Sequence, residues 1–133
     1  MYLLDTNVLS ALRRPDRAPQ IASWLQTKPE DQLFISVVTL GEIERGIVLQ
    51  EGHNPGFARD LRSWIDRTSL LFADRLLPFG PEEARIWGRL SARIGHNGAD
   101  LQIAATALAR GAIVVTGNVS DFEPTGVEIE NPF

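Results

Sequence analysis

Met1-Tyr2-Leu3-Leu4-Asp5-Thr6-Asn7 decides how the rest of the chain is read. A short apolar run that ends abruptly in an acid, with two small polar residues behind it, has the pattern of a buried strand delivering a carboxylate to the edge of a sheet. The clearest strand, Ala112-Ile113-Val114-Val115, likewise runs into small polar residues, Thr116-Gly117-Asn118. Leu33-Phe34-Ile35-Ser36 is a second strand candidate, Leu76-Leu77-Pro78-Phe79 a short third one whose proline limits its pairing, and Val127-Glu128-Ile129 a last one.

Helical spacing fills the intervals. Thr6 or Asn7 is a candidate cap for a helix through about Leu12, which Arg13-Arg14-Pro15 ends. Ile21, Ala22, Trp24 and Leu25 form a brief amphipathic helix that stops near Lys28-Pro29. Leu40, Ile43, Ile47 and Val48 mark a helix from Val38 to about Gln50; His53-Asn54-Pro55-Gly56 reads as a turn, and Phe57 to about Phe72 as the next helix. Pro81, with Glu82 and Glu83 behind it, starts another helix that ends near Gly95. Ala99 to Arg110 is small and apolar nearly all round, so it should be buried, with Gly111 closing it. Strands alternating with helices imply right-handed crossovers. The expected fold is therefore α/β, in three layers (α/β/α), with a short, mainly parallel sheet.

Composition narrows the function. A chain of 133 residues suits one domain with a sizeable core, and 44% hydrophobic with 23% charged residues is ordinary globular content. The absence of cysteine excludes disulfides, thiol catalysis and zinc-thiolate sites. No basic lead-in precedes the first apolar residues and no run approaches the roughly 18 apolar residues of a membrane span, so a cytoplasmic protein with no membrane association is expected. A net charge of −4 argues against a generic nucleic-acid-binding module. Of the 13 cationic residues, however, only Lys28 is a lysine, and arginine is the side chain that grips phosphate or carboxylate bidentately.

In a parallel α/β fold, ligands bind at the carboxyl edge of the sheet. Asp5 leaves the first strand there, and Glu42 lies about one turn into the helix that starts there. The helix ending at Gly111 feeds into a parallel strand, so it begins at the same edge, with Asp100 in its first turn. Asp121 follows that strand across a short connection. Four gathered carboxylates repel one another and raise their own pKa values unless a cation sits between them. Mg²⁺ or Mn²⁺ matches an all-oxygen ligand set, and hydrolysis of a phosphate ester is the reaction class such an ion serves.

Four blocks carry a family resemblance: LLDTNVLS at Leu3 to Ser10, TLGEIERGI at Thr39 to Ile47, ADLQIAATAL at Ala99 to Leu108, and the closing TGNVSDFEPTGVEIENPF. Together, and in this order, they resemble PIN-domain proteins of the VapC toxin type, with residues 1–133 expected to form one such domain. The resemblance implies a metal-dependent endoribonuclease acting on structured RNA. It also implies a small cognate antitoxin that blocks the site, with a homodimer or larger toxin–antitoxin assembly expected. By the family pattern Asp5 and Asp100 match the principal metal ligands, Glu42 and Asp121 the remaining acids, and Thr116 and Asn118 polar residues that orient water or the acids. Thr116-Gly117-Asn118 departs from a frequent Thr-Arg-Asn, which removes a positive side chain.

Singly, each residue has a plainer reading. Asp5 is a turn or cap acid, Glu42 a surface charge, Asp100 a helix-dipole partner and Asp121 a loop residue. Glu44 keeps the surface reading, being about 200° round the helix from Glu42. His53 and His96 receive no role, and Trp24, Trp64 and Trp87 are core or interface residues first. Arg85, Arg89 and Arg93 form a ridge of like charge, read as solvated, with the tracking of RNA phosphates or the holding of an acidic partner as the alternative. Two rivals to the nuclease stand: an aspartyl-phosphate phosphatase or receiver-like domain using Asp5, weakened by Asn7 where a second acid would sit, and a non-catalytic partner-binding domain whose acidic rim receives an arginine.

Overall fold

The structure, a computed structural model, describes residues 1–133. Its sheet has five parallel strands in the order β3-β2-β1-β4-β5: β1 (Tyr2–Leu4), β2 (Leu33–Ser36), β3 (Leu76–Leu77), β4 (Ile113–Val115) and β5 (Ile129–Glu130). The chain builds outward from β1 to β2 and β3, then crosses to the other side for β4 and β5. The order therefore reverses between β1 and β4, a topological switch point, where open α/β sheets bind ligands.

Alternation along β1 divides the core in two. Leu4 faces one side with Leu33, Ile35 and Val115, covered by α1 (Thr6–Ala11), α2 (Pro19–Gln26), α3 (Val37–Glu51) and α4 (Pro55–Leu71). Leu3 faces the other with Val114 and Phe122, covered by α5 (Pro81–Ile94), α6 (Ala99–Arg110) and α7 (Val119–Phe122). The registers Leu3↔Phe34 and Leu3↔Val114 keep each set on its own face. On α6, Ala104, Ala105 and Ala107 are fully buried, and their small side chains bring this helix close to the sheet and to α5. This is the three-layer arrangement expected from the alternating pattern.

Several boundaries move for local reasons. Pro55 and Gly56 are not turn residues but open α4: Asn54 caps it by accepting from the Phe57 amide, and proline is tolerated at the first helical position because that amide needs no partner. Neither Thr6 nor Asn7 caps α1; Asp5 does, accepting from the Thr6 amide at 2.8 Å. The third strand stops at Leu77, before the proline, and the last strand pairs at Ile129–Glu130 rather than from Val127. Arg85, Arg89 and Arg93 line the exposed face of α5, as expected of a solvated ridge. No helix is long and apolar enough to cross a membrane.

One cation is structural. Arg75 is only 8% exposed, lies over the Phe72 ring, and donates to the carbonyls of Glu30 (2.7 Å), Leu33 (3.0 Å) and Leu71 (2.9 Å). It ties the end of α4 to the entrance of β2. Because each acceptor left without a donor costs about 1–3 kcal/mol, Arg75→Ala is expected to lower unfolding free energy by about 3 kcal/mol or more in a denaturant titration, without changing the acidic edge.

Candidate metal and nuclease site

The site is assembled where β1 and β4 end side by side. The Asp5 amide donates to the Val115 carbonyl at 2.9 Å, which fixes the backbone of the acid to the neighbouring strand. Its side chain is 3% exposed. One carboxylate oxygen accepts from the Thr6 amide and the other from the Thr116 hydroxyl, both at 2.8 Å. Thr116 is itself fully buried, and its Oγ1 accepts from the Asn118 amide at 2.9 Å. Asn118 thus enters the network through its backbone, while its side chain stays exposed.

Glu42 is reached from the other direction. The Thr6 hydroxyl lies 2.6 Å from Glu42 Oε1 and 3.1 Å from Thr39 Oγ1, linking α1 to α3. Nothing in the sequence marks Thr6 or Thr39 as a site residue, since a threonine after a strand or on a helix carries no signal of its own. Glu44, by contrast, points away and forms a two-pronged ion pair with Arg62 at 3.0 and 3.1 Å, as its helical angle required.

Electrostatics show which acids share the site. Burial raises the Asp5 carboxyl above its ordinary value, the Thr116 hydroxyl and then the Thr6 amide pull it back, and Glu42 and Asp121 push it up again. Asp100, in the first turn of α6, is raised by burial and then by Asp5 and Asp121, with His96 acting against them. Asp5 thus stands within electrostatic reach of Glu42, Asp100 and Asp121, and Asp100 within reach of Asp5 and Asp121; Asp121 projects from α7, a one-turn helix where the sequence shows only a connection. His96, to which the sequence gives no role, lies near Asp100 and is the one neighbour that opposes this rise.

This donor set suits a hard divalent ion. It consists of carboxylate oxygens, and it holds one orphan, Asn7 Oδ1, which is buried with no hydrogen-bond partner. No three acidic or histidine side chains converge tightly enough to enclose an ion alone. Magnesium-type ions bind through one or two carboxylates and keep several waters, so two protein ligands with an outer ring of acids are compatible with that preference.

Comparison with known proteins decides the family. A family model described as "PIN domain" matches residues 2–123. The chain belongs to the PIN-domain family. Among relatives of this PIN-domain protein, the "VapC ribonuclease Y4jK" of Sinorhizobium fredii is 34% identical over 142 residues, covering 100% of this chain and 98% of that one. "Ribonuclease VapC14" of Mycobacterium tuberculosis is 45% identical over 65 residues, 49% of this chain and 63% of that one. "Toxin FitB" of Neisseria gonorrhoeae is 31% identical over 139 residues, covering 100% of this chain and 99% of its own. The crystal structure of FitAcB from the same organism superposes with a TM-score of 0.81 at 30% identity, covering 99% of this chain and 98% of that one.

Proposed function

We propose that this PIN-domain protein is a divalent-metal-dependent endoribonuclease, the toxin of a toxin–antitoxin pair, hydrolysing RNA phosphodiesters. The observation that carries the reading is the convergence of Asp5, Glu42, Asp100 and Asp121, from four separate elements, on the switch point between β1 and β4. The ribonuclease and toxin names of relatives matched along the whole chain support it.

Asp5 and Asp100 are the proposed ligands of Mg²⁺ or Mn²⁺. When bound, such an ion supplies Lewis-acid polarisation of the phosphodiester and a lowered pKa for water. The chain's own groups do the rest. Asp5 is kept in one rotamer by Thr6 and Thr116. Glu42 is oriented by the Thr6 hydroxyl, which leaves its second oxygen free to align a water for attack. Asp121 closes the outer ring. With the donors fixed beforehand, little reorganisation is needed as charge develops on the phosphate, the usual source of the largest rate term.

RNA cleavage assays with and without Mg²⁺ or Mn²⁺ test the reading; absence of metal-dependent cutting removes it. Thr116→Val tests the support of the ligand, since outer-shell partners typically set metal affinity by about 10–100-fold. Mg²⁺ titration of that variant should show a weakening in this range, with the wild-type rate recovered at high Mg²⁺. For the partners, an antitoxin and a second copy of this chain, apolar surface is available in α3 and α4, where Val48, Leu49, Leu70 and Leu71 are all more than half exposed.

A further inference from the structure

Gly117 lies between Thr116 and Asn118 at the end of β4, and the space beside it is already filled. A Cβ built on Gly117 would stand 2.7 and 2.8 Å from two carbons of the Phe133 ring and 3.6 Å from Asn7 Nδ2. Real Cβ atoms are essentially never that close to a neighbour, so the ring can rest there only because residue 117 has no side chain. Phe133 nevertheless remains 54% exposed. The aromatic side chain is thus seated on the backbone next to Thr116, whose hydroxyl holds Asp5, while much of its surface faces solvent. The loop also helps fix it, since the Phe133 amide donates to Asn131 Oδ1 at 3.0 Å.

We propose that Phe133 is a stacking platform for a nucleobase of the RNA, next to the phosphate that is cut, and that Gly117 is the seat that allows it. This deepens the ribonuclease reading and rests on it. An aromatic face accepts any base, because every base has a π-face, and in single-stranded recognition such a contact supplies binding without demanding one sequence. Without a bound cation the acidic edge around Asp5 repels the RNA backbone, so an uncharged anchor beside it supplies binding that does not depend on charge. A protein partner covering the ring is the competing occupant, and the test separates the two.

The probe is an RNA that the wild-type protein cuts, carrying 2-aminopurine at single positions flanking the cut. Binding is measured in the Asp5→Asn background so that the RNA stays intact. Phe133→Ala should weaken binding by roughly 5- to 150-fold, the range of one stacked base. It should also abolish the 2-aminopurine quenching at one flanking position. Phe133→Trp should retain both, and Phe133→Leu should behave like alanine. Gly117→Ala should weaken binding when Phe133 is present and add nothing in the Phe133→Ala protein. The Mg²⁺-induced rise in melting temperature, read in proteins retaining Asp5, should be the same for Phe133→Ala and wild type, which separates a lost platform from a damaged metal site. Unchanged affinity in Phe133→Ala, a leucine variant equal to phenylalanine, or a loss confined to a co-purifying protein partner would each overturn the platform while leaving the nuclease proposal intact. If the wild-type protein cuts no RNA, the ribonuclease proposal itself fails and the platform falls with it.

Discussion

Asp5→Asn is expected to abolish RNA cleavage, with a loss of at least about a hundred- to a thousandfold in rate, the scale of removing one preorganised electrostatic group. The fold should survive. Asparagine keeps an oxygen that can accept from the Thr6 amide and so cap α1, and the Thr116 hydroxyl can accept from the new amide where it donated to the carboxylate. What disappears is a buried negative charge at the meeting of β1 and β4. The measurement pairs a cleavage time course in Mg²⁺ with a melting curve. A variant that cuts at the wild-type rate would show that Asp5 holds nothing the reaction needs.

Asp100→Asn separates the cost of the acidic edge from its use. Burial and then the charges of Asp5 and Asp121 raise the Asp100 carboxyl in the folded, metal-free protein. Below about pH 4, folded and unfolded chains both hold the proton and the residue costs little. As pH rises the unfolded chain ionises first, so stability is lost until pH has passed the raised folded value. The uncharged variant escapes that loss. In the absence of divalent metal it should therefore melt at a higher temperature than wild type at pH 7, and the gap should shrink towards pH 4. Added Mg²⁺ should reverse the order: at about 100 times its dissociation constant an ion adds roughly 2.7 kcal/mol to the protein that binds it. Wild type should gain that amount and Asp100→Asn little of it, while also losing cleavage. Equal Mg²⁺ shifts in the two proteins would take Asp100 out of the ligand set.

The two variants together test whether these acids are kept for a bound ion rather than for the fold. A group whose removal raises metal-free stability is not there to hold the chain together. Thr6 is the structural counterweight. By bonding both the Asp5 turn and Glu42 it keeps two repelling carboxylates at a fixed separation, a role that no property of an isolated threonine would disclose.

By itself the sequence determined the alternation of strands and helices, the buried character of α6 with its alanines and closing Gly111, and the edge at which Asp5, Glu42, Asp100 and Asp121 emerge. Those features were legible because they follow from local periodicity and from the single hand of parallel crossovers. Only the tertiary structure decided which atoms meet: that Asp5 rather than Thr6 caps α1, that Thr116 supports Asp5 and Thr6 supports Glu42, that Asp121 stands on a one-turn helix, and that Phe133 lies on Gly117. Of these, the Thr6–Glu42 and Thr116–Asp5 bonds join residues 36 and 111 positions apart, and Gly117 meets a ring sixteen residues further on, so no local pattern encodes them. They arise when sheet register brings the strand ends together and each polar atom taken from water finds the partner within reach.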